Sequence, residues 1–182
     1  MKVIGLMGAI GSGKSTVAGM LCDLGGSIFD ADREAHEVLQ ELGQTDRKAI
    51  AEKVFRDSKA LKELEAQVHP RVQTRMEDWL KRQAAPAAVL DIPLLDEAGF
   101  SSRCDALLFV DAPEAVRAER LRSSRGWALD EAARRQAIQG DLSAKRAKAH
   151  AVVSNGGDLA QTRRQVTEFW NRFVNPQGGS DR

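Results

Sequence analysis

The chain has 182 residues, 42% of them apolar and 29% charged, with 27 basic and 26 acidic side chains for a net charge of +1. This is about one domain's length, enough to bury a core without disulfides or a structural metal, and the composition argues against global disorder. The near balance of charge argues against a chain-wide basic field, and so against a nucleic-acid coat or electrostatic membrane adhesion. In chain order, Lys2–Met7 reads as a strand apolar enough to be covered on both faces. A glycine-rich turn leads into a helix over Gly13–Leu24, which Gly25-Gly26 closes. Ser27–Phe29 reads as a second strand, ending at Asp30-Ala31-Asp32. From Arg33 to Arg82 the period is helical, in four pieces: Val38, Leu39 and Leu42; Ile50, Val54 and Phe55; Leu61, Leu64 and Val68; Val72, Met76, Trp79 and Leu80. His69-Pro70 falls between the last two and fits a helix start.

Ala87–Leu90 before Asp91 and Ala106–Val110 before Asp111 read as the third and fourth strands. Pro113–Ser123 reads as a helix with Pro113 in its first turn. Two more helices follow, Leu129–Ile138 and Leu142–Lys148, parted near Gly140. Ala151–Val153 reads as a fifth strand, and Asn155-Gly156-Gly157 as a turn. Asp158 is placed to cap a last helix with Val166, Phe169, Trp170 and Phe173 on one face. The tail, Asn175–Arg182, is polar and expected to fray. Alternating strands and helices imply an α/β fold, a mainly parallel five-stranded sheet with helices on both faces. The long helical stretch is an excursion from that sheet. Cys22 and Cys104 show no metal-ligand spacing and read as buried free thiols in a reducing compartment. The start is a poor signal peptide, and no window of about 18 apolar residues suits a membrane span, so a soluble cytoplasmic protein is expected.

The segment Gly8-Ala9-Ile10-Gly11-Ser12-Gly13-Lys14-Ser15-Thr16 matches G-x-x-x-x-G-K-[ST] in full, after a strand and opening a helix. Glycines let the backbone wrap closely and aim successive N–H groups at phosphate oxygens, and the helix start adds its positive dipole end. Lys14 supplies a point charge for the β- and γ-phosphates, and the Ser15 hydroxyl is a ligand for Mg²⁺, the metal that accompanies ATP. The guanine-reading Asn-Lys-x-Asp is missing, which argues against a regulatory GTPase. A small-molecule kinase on this scaffold needs an acceptor site after strand two and an arginine-rich lid. Asp30 or Asp32 supplies the acceptor-side carboxylate, to take the proton of an attacking hydroxyl or orient it; equally, one of the pair caps the next helix. Asp91 is either a carboxylate reaching Mg²⁺ through water or a strand-end turn residue. The stretch Pro113–Lys148 carries an excess of basic residues, of which two or three are expected to touch phosphate.

Together these residues resemble the dephospho-CoA kinase family, from Val3 to about Val166. Beside the P-loop, the resemblance rests on Leu24-Gly25, Asp30-Ala31-Asp32, Asp46-Arg47, Val54-Phe55, Leu64-Glu65 and His69-Pro70-Arg71-Val72. It continues through Asp91-Ile92-Pro93-Leu94-Leu95 with Glu97 and Gly99, then Arg120-Leu121, Arg135, Gln139 and Asn155-Gly156. It implies a P-loop fold of the nucleoside-monophosphate-kinase type, one domain over 1–182. Its core would be 1–32, 84–112 and 149–175, with an acceptor-binding helical part at 33–83 and a lid at 113–148. The implied reaction moves the γ-phosphoryl group of ATP to the 3′-hydroxyl of dephospho-CoA, with Asp32 and Lys14 catalytic. The ATP site would comprise Gly8, Gly11, Ser12, Gly13, Lys14, Ser15, Thr16 and Asn155, with Ser15 on the metal. Arg120, Arg125 and Arg135 would be the lid's phosphate contacts, and Asp32, His69, Pro93 and Leu94 would meet the acceptor. No nucleic acid, membrane or obligate protein partner is implied.

The chain departs from the family pattern at several points. The segment between Arg33 and Asp46 is shorter than usual, by about a long helix. Met7 and Ala9 replace a threonine and a glycine, and Arg117 replaces a lid glutamine. Ala149-His150 stands for Ala-Asp, and Asp96 stands where an apolar residue is common. The lid arginine of position 124 is Ser124, with Arg125 one residue late, about 100° round on a helix. Two other readings stay open: a related kinase with another nucleoside or nucleotide acceptor, and an ATP-binding regulatory module without transfer.

Overall fold

The computed structural model describes residues 1–44, 58–92, 95, 99–126, 131, 134, 136, 137 and 139–176; the side chains of Ser58, Leu61 and Arg125 are not among what it describes. Within these residues the elements are β1 (Lys2–Gly8), α1 (Lys14–Asp23), β2 (Ser27–Asp30), α2 (Ala31–Glu41), α3 (Ser58–Lys81), β3 (Ala87–Asp91), β4 (Ala106–Asp111), α4 (Glu114–Arg125), α5 (Leu142–Lys148), β5 (Ala151–Ser154) and α6 (Leu159–Phe173). The strands form one sheet in the order β2-β3-β1-β4-β5. The expected helix at Ile50, Val54 and Phe55 lies outside the described residues, as do most of Leu129–Ile138 and the end of the tail.

The sheet belongs to a unit made of Met1–Phe29 and Ala84–Arg182. Parallel pairing sets Ile4 beside Val89 and Ala106, and Leu6 beside Asp91 and Leu108. Alternation along the strands then sends Ile4, Leu6, Val89, Leu108 and Val153 to one face, where Val17 and Leu21 of α1 and Val166, Phe169 and Trp170 of α6 complete the core. On the opposite face Gly5 leaves room for its neighbours: a Cβ there would stand 2.6 Å from Leu95 and 2.8 Å from Leu107. Central β1 from Ile4 to Gly8 and β4 from Ala106 to Val110 are therefore apolar and buried, as a doubly covered parallel strand requires, with Lys2 and Asp111 at the strand ends.

Helix ends follow local chemistry. The amide of Gly26 donates to Leu21 O at 3.0 Å and that of Gly25 to Cys22 O at 2.8 Å, which closes α1. Asp158 caps α6 by accepting from the Ala160 amide, and Asp141 caps α5 by accepting from Ser143 and Ala144. Pro113 is the cap of α4 and not a residue of its first turn; its carbonyl accepts from the Arg117 amide at 3.0 Å. The cysteine expectation needs correction. Cys22 is exposed, because α1 turns Val17, Ala18, Met20 and Leu21 inward and leaves Cys22 outside, and Cys104 is half-buried; both are free thiols.

A second compact unit spans Asp30–Gln83. In it α2 packs on α3, burying Val38, Val68 and Met76. Arg75 of α3 reaches across to α2, meeting Glu34 and Glu37 at 3.2 Å each and Glu41. Partial burial pulls the Arg75 pKa down, but the bonds to Glu41 and Glu34 outweigh it and the net shift is upward. The third and fourth predicted pieces are one helix of 24 residues with Pro70 inside it, so His69-Pro70 starts nothing. Proline removes one donor from the ladder, and the rest of a helix this long carries the loss. Among the described residues, no helix is long and apolar enough to cross a membrane.

Candidate functional site

The P-loop runs from the C-terminal end of central β1 into the first turn of α1. The Ser12 amide donates to Ala9 O at 3.0 Å, and the Thr16 and Val17 amides both turn back to Gly13 O. The amides of Gly11, Gly13, Lys14 and Ser15 donate to no protein acceptor among the described residues. Four unspent N–H groups at the positive end of a ten-residue helix make an anion-binding concavity. Gly13 is the helix cap with φ 88°, a left-handed conformation that only glycine adopts without strain. Ser15 and Thr16 are exposed and Lys14 is half-exposed, so both hydroxyls and the ammonium reach solvent. The Ser12 hydroxyl is fully buried and has no partner among the described residues.

Three parts of the same unit brace the loop from behind. From β5 and α6, buried Asn155 donates its Nδ2 to Ser12 O at 2.8 Å, and Thr162 Oγ1 meets Asn155 Oδ1 at 3.2 Å. From α4, Arg120 donates to Ser12 O at 3.2 Å and to Asn155 O at 2.7 Å. Arg117 donates to Ala112 O at 3.2 Å, to Ile10 O at 3.5 Å and to Gln136 Oε1. From beyond α4, Gln139 accepts from the Ile10 amide at 2.8 Å and donates to Gly8 O at 3.4 Å. The expected lid therefore supplies at least three side chains that hold P-loop backbone.

Asp30 and Asp32, two of the acceptor-side candidates, stand at the start of α2. Asp30 is the cap of α2, its Oδ1 accepting from the Arg33 amide at 3.0 Å. Asp32 lies in the first turn of the same helix and is exposed. His69 is exposed on α3. Pro93, Leu94 and Arg135 lie outside the described residues, as does the side chain of Arg125. The backbone through Arg125 is helical, so that arginine stands about 100° from position 124. Asp91 ends β3 and is half-buried. Magnesium takes hard oxygen ligands, few of them from protein, and an exposed Ser15 hydroxyl on the first turn of α1 fits that demand.

Several residues here escaped the sequence reading. Gln136 and Thr162 carry no motif, and their roles appear only when α4 and α6 fold against the loop. Arg117 is visible only as a departure from a pattern. Lys145, one of the basic residues of Pro113–Lys148, is buried at 8% exposure.

A family model described as dephospho-CoA kinase matches residues 2–42 and 35–161. A dephospho-CoA kinase of Moorella thermoacetica is 40% identical over 95% of this chain and 92% of its own length. The crystal structure of TT1252 from Thermus thermophilus superposes with a TM-score of 0.83 at 34% identity, covering 92% of this chain and 95% of that one. A dephospho-CoA kinase from Campylobacter jejuni shares the fold, with a TM-score of 0.70 at 22% identity over 96% of this chain and 98% of its own.

Proposed function

The chain belongs to the dephospho-CoA kinase family, and we propose that Lys14, the P-loop amides and Asp32 carry its reaction. The activity is transfer of the ATP γ-phosphoryl group to the 3′-hydroxyl of dephospho-CoA, giving coenzyme A and ADP in the last step of coenzyme A synthesis. The supporting observation is the P-loop itself, with the amides of Gly11, Gly13, Lys14 and Ser15 unspent at the start of α1. These amides and Lys14 hold the β- and γ-phosphates and stabilise charge as it shifts in transfer. Ser15 would hold the magnesium ion that comes with ATP, and that ion supplies charge neutralisation between the phosphates.

In the proposed step the ribose hydroxyl oxygen bonds to the γ-phosphorus, the bond from that phosphorus to the β–γ bridging oxygen breaks, and ADP leaves. Asp32 takes the hydroxyl proton or orients it; Asp30, already the cap of α2, is assigned to structure instead. We assign 33–83 to acceptor binding, with His69 in it, and Pro93-Leu94 to the same substrate. The span 113–148 is assigned as the lid, with Arg120 and Arg135 as its phosphate contacts; Arg125, carried on helical backbone about 100° from position 124, is not assigned that contact. A closed lid excludes water, which would otherwise take the phosphoryl group. Free Cys22 and Cys104 fit the cytoplasm as the compartment.

Two variants test these roles. Lys14→Ala is expected to abolish ATP use. Asp32→Asn is expected to lower kcat by about 10²–10⁴-fold with unchanged circular dichroism and ATP affinity. Wild-type turnover in the Asp32 variant would remove that residue from the chemistry.

A further inference from the structure

We propose that Asn155, locked by Thr162, is a positioning residue that keeps the Ser12–Gly13 peptide from flipping and so aims the Gly13 amide at phosphate. The geometry carries this. All the main polar groups of Asn155 are engaged: its amide donates to Asp111 O at 2.7 Å, its carbonyl accepts from Arg120, its Nδ2 donates to Ser12 O at 2.8 Å and its Oδ1 meets the Thr162 hydroxyl. Asn155 and Thr162 are 1% and 0% exposed, so their bonds form away from competing water. Ser12 O can only accept, so the NH₂ of Asn155 faces the loop and its Oδ1 faces Thr162, whose one hydroxyl proton is shared among Asn155 Oδ1 at 3.2 Å and the Ser154 and Asp158 carbonyls at 3.3 Å each.

The Ser12 carbonyl thus receives two donors, Asn155 Nδ2 and Arg120 Nη1 at 3.2 Å. A peptide unit is planar and trans, so its N–H points opposite to its C=O. Holding Ser12 O toward Asn155 therefore directs the Gly13 N–H away from Asn155, to the loop's other side. A flip of this peptide is otherwise cheap, because Gly13 tolerates both signs of φ. A flipped unit would present a carbonyl dipole to the phosphates in place of a donor. The same packing closes the position to other residues, since a Cβ on Gly13 would overlap Asn155 Nδ2.

This role rests on the P-loop as the ATP site, so the test separates the two. ATP binding by calorimetry, KM for ATP, KM for dephospho-CoA, kcat and melting temperature are measured for the wild type and for Lys14→Ala, Asn155→Ala, Thr162→Val and Thr162→Ser. Asn155→Ala is expected to raise KM for ATP about tenfold or more, with KM for dephospho-CoA unchanged. Thr162→Val, which preserves shape, should move the ATP values the same way by a smaller factor, and Thr162→Ser should restore them. A fall in melting temperature alone, or equal rises in both KM values, overturns the positioning role. If Lys14→Ala loses ATP and the Asn155 and Thr162 variants keep wild-type affinity, this proposal fails alone. If Lys14→Ala binds ATP as the wild type does, the P-loop reading fails and takes the proposal with it.

Discussion

Gly13→Ala strikes the P-loop at the point where backbone conformation, packing and the bracing network meet. The residue has φ 88°, and holding an L-residue in that region costs about 1–2 kcal/mol. The new Cβ would overlap Asn155 Nδ2, so the Asn155–Ser12 bond must stretch or break. Ser12 O keeps Arg120, but leaving the buried Asn155 Nδ2 unpaired costs about 1–3 kcal/mol. Against this, alanine lowers the entropy of the unfolded chain, which returns about 0.4–1 kcal/mol. The balance is a loss of about 1–4.6 kcal/mol, roughly 2–18 °C in melting temperature for a chain of this size. Gly19→Ala is the control: Gly19 lies inside α1, and a Cβ there meets nothing within 4 Å. That variant should gain about 0.5–1 kcal/mol. Thermal melts followed by circular dichroism, with ATP titrations on the same samples, measure both. A Gly13→Ala protein that melts with the wild type and binds ATP normally would refute the argument.

Other consequences follow from single sites. Burial first, and then neighbouring Asp105, push the Cys104 thiol from 9.0 up to about 11, so at any pH below 9 it holds about a hundredfold less thiolate than an ordinary cysteine. At pH 8 a maleimide should label exposed Cys22 first; preferential labelling of Cys104 would contradict the burial. The raised value favours the folded state fully below pH 9, and that contribution is lost as pH climbs toward 11. The Leu107 amide donates to His150 Nδ1 at 3.0 Å, so the ring serves as the acceptor at the start of β5. Urea denaturation of His150→Leu should show a loss of about 1–2 kcal/mol, with His150→Asp near the wild type; equal stabilities of the two variants would refute this. Ser12→Ala removes a buried hydroxyl without a partner among the described residues, so its stability should stay level or rise; a loss above about 1 kcal/mol in the same assay would show a missing partner.

How much of this was legible in the sequence depends on whether the signal was contiguous. The P-loop is nine consecutive residues whose chemistry is local, β1 and α1 follow from the apolar and glycine positions around it, and the parallel sheet follows from the alternation of strands and helices along the chain. Local chemistry leaves Asp30 and Asp32 alike, because either carboxylate suits a helix start, and it is the family resemblance that points to Asp32. Folding shows that Asp30 is the one whose carboxylate accepts from the Arg33 amide. Pro70 suggested a break that the helix does not make, since packing of α3 on α2 outweighs one lost donor. The bracing of the loop was largely illegible. Ser12, Arg120, Asn155 and Thr162 come from four separate stretches and meet only through folding. The Arg75 clamp on three glutamates is likewise invisible until α2 and α3 are side by side.

The most direct test of the central claim is ADP release from ATP and magnesium with and without dephospho-CoA, with the product's mass and the site of its new phosphate determined. The expected result is release that depends strongly on dephospho-CoA and a product one phosphoryl group heavier, substituted at the ribose 3′-oxygen. ATP binding with no acceptor-dependent release, or a phosphate at any other position, would contradict the account.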